Sequence, residues 1–191
     1  VQFNLVDDFV NALGLPIMAG ASSYVILGLA DMLFVGQFGT AALAAVGTGS
    51  FAGWVFAAAF AGVQIAVQAT ASRRKGAGEV PSLAVPLNSA LVLLCVCAPL
   101  PTVLLFIYTA DIFALLNSDP VVISHGVPYL QWMWLSSAFH GALSAFNGYW
   151  NGTDRPTYYM RVVLLSTFAN VPLNYLFMFG AGPIPAFGVE G

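Results

Sequence analysis

Asp31 closes an apolar run. From Phe9 to Ala30 the sequence carries 22 residues without a charge, and then a carboxylate follows in "YVILGLADMLFVGQFG". A charged side chain inside hydrocarbon costs about 3 kcal/mol on insertion scales. Its aliphatic reach is short, so Asp snorkels to the headgroups less well than Lys or Arg. Gly20, Tyr24, Gly28 and Asp31 recur at spacings of four, four and three, which puts them on one helical face. Asp31 lies about 13 Å outward from the centre of that segment at 1.5 Å per residue. The expectation is a carboxylate facing a water-accessible cavity, where a proton or a hard cation neutralises it in turn.

Two further stripes have the same character. Ser136, His140, Ser144, Asn147 and Asn151 follow at spacings of four, four, three and four, and Ser166, Asn170 and Asn174 follow at four. Pro172 sits between the last two asparagines, removes a backbone donor and frees the carbonyl of Phe168. Two amides and a freed carbonyl offer oxygen to a small hard cation; the same residues also serve as an interhelical amide clamp. No second histidine or carboxylate stands at a ligand spacing from His140, so no transition metal is expected. Cys95 and Cys97, two apart within an apolar run, diverge on a helix and lack the C-x-x-C spacing.

The elements that carry these residues belong to a membrane. Of 191 residues 59% are hydrophobic and 7% charged, the mean hydropathy is +0.85, and soluble domains carry about 25% charged residues. Five runs are long enough to cross a bilayer, at about 10–34, 41–71, 83–108, 122–150 and 160–180. The second run exceeds what a bilayer needs, so its helix projects beyond the hydrocarbon. Its Gly49 and Gly53, in G-x-x-x-G relation, call for close helix packing. The breaks are GQFGT, SRRKGAGEVP, TADIFALLNSDP, NGTDRPTYY and GAGPIPAFG. The predicted fold is an all-α polytopic helix bundle.

All five bases, Arg73, Arg74, Lys75, Arg155 and Arg161, fall in the second and fourth connections, which antiparallel spans place on one side. The positive-inside rule puts that side and the N-terminus in the cytoplasm. Asn151-Gly152-Thr153 then reads as turn chemistry rather than a glycosylation site. The opening VQFNLVDDF carries two acids and no base, unlike a signal peptide, and the chain reads as a fragment open at both ends. "GTGSFAG" is not a phosphate loop, no nucleophile elbow occurs, and the spans hold one acid where an aspartyl protease needs two. An enzyme is therefore not expected, nor is a nucleic-acid partner.

Four stretches, in order and with their spacing, resemble one family. They are "LGLADMLFVGQFGTAALAAVG", "QATASRRKGAGE", "ALSAFNGYWNGTDRPTYYMRV" and "ANVPLNYLFMFGAGPIPAFGVEG", and together they are similar to the multidrug and toxic compound extrusion (MATE) transporters. The resemblance implies twelve helices in two six-helix lobes, of which this chain supplies five of the first, the C-terminal lobe being absent. It implies antiport, in which an entering proton or sodium ion drives export of drug-like, often cationic, compounds across the bacterial inner membrane. It assigns Asp31, Asn147 and Asn170 to the cation site of the N-terminal lobe. Asn174 departs from the acid that many relatives have there. Tyr24, His140, Ser144 and Ser166 are expected to line the cavity. No cofactor is implied beyond the proton or a bound sodium ion; the partners are the small-molecule substrate and membrane lipid. The alternative within the same superfamily is a flippase for lipid-linked oligosaccharides. That cargo is anionic and calls for bases deep in the spans, where this chain has none.

Overall fold

The computed structural model describes residues 10–180, 183 and 185–188. The opening VQFNLVDDF and the closing V-E-G lie outside the described residues. Helix α1 (Leu15–Val35) follows a π-turn over Val10–Gly14 and takes Pro16 in its first turn, where a missing N–H leaves no bond unmade. A 3-10 turn, Gly36–Phe38, leads to Gly39 at φ +100°, a conformation open to glycine, which reverses the chain into α2 (Thr40–Gly76). At about 55 Å, α2 is far longer than the hydrocarbon core. Its last turn holds Arg73, Arg74 and Lys75, whose charges complement the helix dipole.

The third apolar run is broken. Helix α3 (Val85–Cys97) gives way at Ala98 to α4 (Pro99–Ile107), because Pro99 and Pro101 remove two backbone donors within one turn. Two long helices complete the chain, α6 (Pro120–Gly152) and α7 (Pro156–Phe179), with Asp119 capping α6 by accepting from the Val121 amide at 2.8 Å. Between α4 and α6 the expected break TADIFALLNSDP contains a further helix, α5 (Thr109–Leu116). Its Thr109 and Phe113, one turn apart, are fully buried, and the Phe113 ring occupies the space a side chain at Gly126 would need. The acids and asparagine around this segment hide its short amphipathic period in the sequence.

No strand occurs among the described residues, and the fold is an all-helical membrane bundle. Four stretches are long and apolar enough to cross a membrane: Leu15–Phe38, Thr40–Gly76, Val80–Ile107 and Pro156–Phe179. Helix α6 has the length, at 33 residues, but its Gln, His, Ser and Asn lower its hydropathy below that of the others. Large apolar side chains such as Leu33, Leu115, Phe139 and Phe168 are more than 70% exposed, as lipid-facing residues are.

Two helix pairs dominate the packing, α2 with α6 and α1 with α7. The α2–α6 contact brings backbones together. A Cβ at Gly148 would meet the carbonyl oxygen of Gln64 at 2.3 Å, and one at Gly152 that of Gln68 at 2.6 Å. Only glycine permits this approach, and it allows weak Cα–H···O contacts. Gly49 and Gly53, the G-x-x-x-G pair, receive the Tyr129 ring and the Met133 thioether of α6. Helix α3 packs on α2 and α6 through Phe60, Val67, Leu87, Ala90, Leu94 and Ala145. The two pairs meet at one end, where Val35, Ala42, Val46 and Met178 form a small core. At the other end Lys75 donates to the Thr153 carbonyl at 2.8 Å and to Asp154 Oδ2 at 2.7 Å, tying α2 to the α6–α7 turn. Asp154 holds that turn in the left-handed region at φ +59°.

Candidate functional site

Helices α1 and α7 face each other along the polar stripe of each. Near one end Gly20 admits the Tyr159 ring, 3.5 Å from where a Cβ would stand, and the Tyr159 hydroxyl donates to that of Tyr24 at 3.3 Å. Two turns further along α1, Asp31 meets Asn174. The Asn174 amide donates one N–H to Asp31 Oδ1 at 2.5 Å and the other to Asn170 Oδ1 at 2.8 Å. All three side chains are half-buried. The helical spacings explain why each helix can do this: four residues separate Asn170 from Asn174, so both amides present to the same strip of α1.

Two oxygens, one charged, thus converge on a single nitrogen. One amide N–H partly satisfies the carboxylate, which otherwise lies four residues from the end of α1 with apolar neighbours. A half-turn of the Asn174 amide would exchange its nitrogen for its oxygen. Three oxygens would then face the same point, a set suited to a hard cation. No group of three or more His, Cys, Asp or Glu side chains is found among the described residues, and the side chain bonded to Asp31 is an amide.

Asn147 is not part of the cluster. It is buried on α6, accepts from Asn151 Nδ2 at 2.7 Å and lies beside the Gly148–Gln64 contact. Asn147 is five residues from the end of α6 and Asn174 five from the end of α7, and the connected helices run in opposite directions. The 18 residues from Pro156 to Asn174 correspond to about 27 Å of helix, which sets the two amides at different depths. The expected group of four is therefore a group of three, because a helical period gives the angle of a side chain and not its depth.

The expected cavity-lining residues separate as well. His140 and Ser136 line a cavity of about 300 Å³ together with Ser50, Trp54 and Ser137, between α2 and α6. Tyr24 is instead engaged with Tyr159, Ser144 is half-buried on α6, and Ser166 is exposed on α7. Two tyrosines escaped the sequence reading. Tyr159 stands seven residues before Ser166, and Tyr129, bonded to Ser50 at 3.0 Å, stands seven before Ser136. Two helical turns place each on the face of the stripe that follows it, and that spacing was the available signal.

Comparison with known proteins bears on the family and the fold. The MatE family model matches residues 16–176. The chain is 25% identical over 179 residues to the FAD transporter of Shewanella oneidensis and 26% identical over 179 residues to the multidrug resistance protein PmpM of Pseudomonas aeruginosa. Each match covers 94% of this chain but 40% and 38% of the relative, so the chain spans about two-fifths of their length. Among solved structures, a MATE transporter in complex with MaL6 superposes with a TM-score of 0.85 at 22% identity, over 95% of this chain and 39% of that one. A Pyrococcus furiosus transporter of the MOP superfamily superposes with a TM-score of 0.79, also at 22% identity, over 95% and 39%. On the family match, which covers most of its length, the chain belongs to the MatE family of membrane transport proteins.

Proposed function

We propose that the protein containing this chain is a cation-coupled antiporter, not an enzyme, that exports drug-like, often cationic, organic compounds. The observation that carries the reading is the contact of Asp31 with Asn174 and Asn170 across α1 and α7. A proton or sodium ion arriving there removes an isolated negative charge from an apolar setting. The ion then favours whichever arrangement of α1 and α7 buries the neutralised site, and only that difference in affinity can do work. The named relatives include both multidrug resistance proteins and an FAD transporter, so cargo class follows from the rest of the cavity rather than from family. Cationic cargo fits the charge distribution here: Arg73, Arg74, Lys75, Arg155 and Arg161 all lie near the α2–α3 and α6–α7 connections. In this reading those connections and the N-terminus are cytoplasmic, residues 1–191 supply five membrane-spanning helices of a six-helix lobe, the third of them broken into α3 and α4, and a second lobe completes the transport path.

The experiment is efflux of a cationic dye from proteoliposomes bearing the full-length protein, under imposed proton or sodium gradients. Gradient-dependent efflux that Asp31→Asn abolishes supports the reading. Efflux by Asp31→Asn at the wild-type rate and with the same ion dependence would overturn it.

A further inference from the structure

Between α2 and α3 runs an open groove of about 560 Å³ that the transport reading does not use. Its floor is one row of α2, Ala59, Gly62, Ala66, Thr70 and Arg74, at spacings of three, four, four and four. The row is graded. Small apolar residues occupy the deep part, hydroxyls of Thr70 and of Ser89 on α3 come next, and the guanidinium of Arg74 closes the end. A side chain at Gly62 would meet nothing within 4 Å, so the groove is empty of protein there. From Ala59 to Arg74 it extends about 22 Å along the helix, longer than the roughly 15 Å hydrocarbon depth of one leaflet.

Charge at the closed end is positive. Lys75 is held by Asp154, whereas Arg73 and Arg74 have no acid partner among the described residues. Arg74 spends one nitrogen on the Ser82 carbonyl, at 2.8 Å, which fixes the guanidinium while leaving its other N–H groups available. The one acid near by, Glu79, is exposed and accepts from Ser82 Oγ. Thr40 to Ser72 carry no charge, so Arg73 and Arg74 mark where α2 leaves the hydrocarbon. A slot that is apolar along its length and cationic at the interface matches an amphiphile with one anionic head and a hydrocarbon tail.

We infer that the α2–α3 groove binds an anionic phospholipid, its phosphate on Arg74 and one acyl chain along Ala59, Gly62 and Ala66. The inference does not depend on the transport reading, since it requires only that these helices cross a bilayer. The site is tested in the full-length protein with Cys95 and Cys97 replaced by serine and a bimane fluorophore on Ala66→Cys. The protein is reconstituted in phosphatidylcholine vesicles with increasing brominated phosphatidylglycerol or, separately, brominated phosphatidylcholine. Quenching is expected at about fivefold lower mole fraction for the glycerol lipid, the preference one basic side chain gives at an anionic surface. Arg74→Gln should remove that preference and Arg74→Lys should restore most of it. Equal quenching by the two lipids in the wild-type background overturns the inference. So does an unquenched probe, which would mean that another part of the full-length chain fills the groove. Loss of the preference on adding inorganic phosphate would overturn it too, by showing a site for the free anion and not for lipid.

Discussion

Asp31 and Asn174 meet because each stands out in its own helix for the same reason, a polar atom where hydrocarbon is expected. That much was legible: a lone carboxylate after 22 uncharged residues, and amides four apart on another apolar run. Which amides would reach it was not, since periodicity fixes direction around a helix but says nothing of depth or of neighbours. The stripe and the family resemblance point Asn147 towards the cluster, whereas it sits against α2. Tyr159, which fills the gap at Gly20, needs a partner helix to acquire meaning. Two predictions belong here. In the full-length protein Asp31→Asn should insert as well as wild type and lose at least tenfold in gradient-driven efflux, measured with a fluorescent cation. Asn174→Asp should keep expression while displacing the pH or sodium dependence of efflux, because a second carboxylate beside Asp31 changes the charge that the coupling ion must offset. Unchanged ion dependence in that variant would reduce Asn174 to a packing amide.

At the scale of elements, the long helices followed from run length and the turns from their glycines, prolines and bases. The break in the third run was hidden because Pro99 and Pro101 sit inside uninterrupted apolarity, and α5 was hidden because Asp111 within it and Asn117 and Asp119 after it read as a connection. Helix α6 shows the opposite case, a helix that α2 and α3 cover on one side and that therefore tolerates polar residues an isolated span would not. Its glycines give a stability prediction. Gly148→Ala would drive a methyl group onto the Gln64 carbonyl, a backbone atom that has no rotamer to yield. The expected loss is about 1–3 kcal/mol, as for other overpacked contacts, read as a lower unfolding temperature in detergent. Gly28→Ala, with nothing within 4 Å, is the matched control and should leave that temperature unchanged or slightly raised.

For the molecule as a whole, the one-sided bases yield an orientation that labelling can check. With Cys95 and Cys97 replaced by serine, Ser72→Cys should react only with reagents that reach the cytoplasm, and Asn117→Cys with impermeant reagents added outside. The reverse pattern would end the positive-inside argument. The chain's share of its relatives' length leads to a further expectation. Residues 1–191 reconstituted alone should insert yet show no gradient-driven dye efflux, because on the proposed reading the polar faces of α1, α6 and α7 border a path that a second lobe completes.

The pairing of helices is nested: α2 with α6 lies, in chain order, inside α1 with α7. Asp31 and Asn174 are 143 residues apart, so at roughly 5–20 residues per second the carboxylate waits some 7 to 29 seconds of synthesis for its amide. Throughout that time α1 is an apolar helix carrying one unmet charge, which costs about 3 kcal/mol in hydrocarbon. The insertion apparatus is then expected to retain α1 until α7 brings the Asn174 amide to Asp31. Ribosome-bound chains ending near residue 155 should therefore keep α1 crosslinkable to the insertion apparatus, whereas chains that expose α7 should let it go. Asp31→Leu should erase the difference between the two lengths.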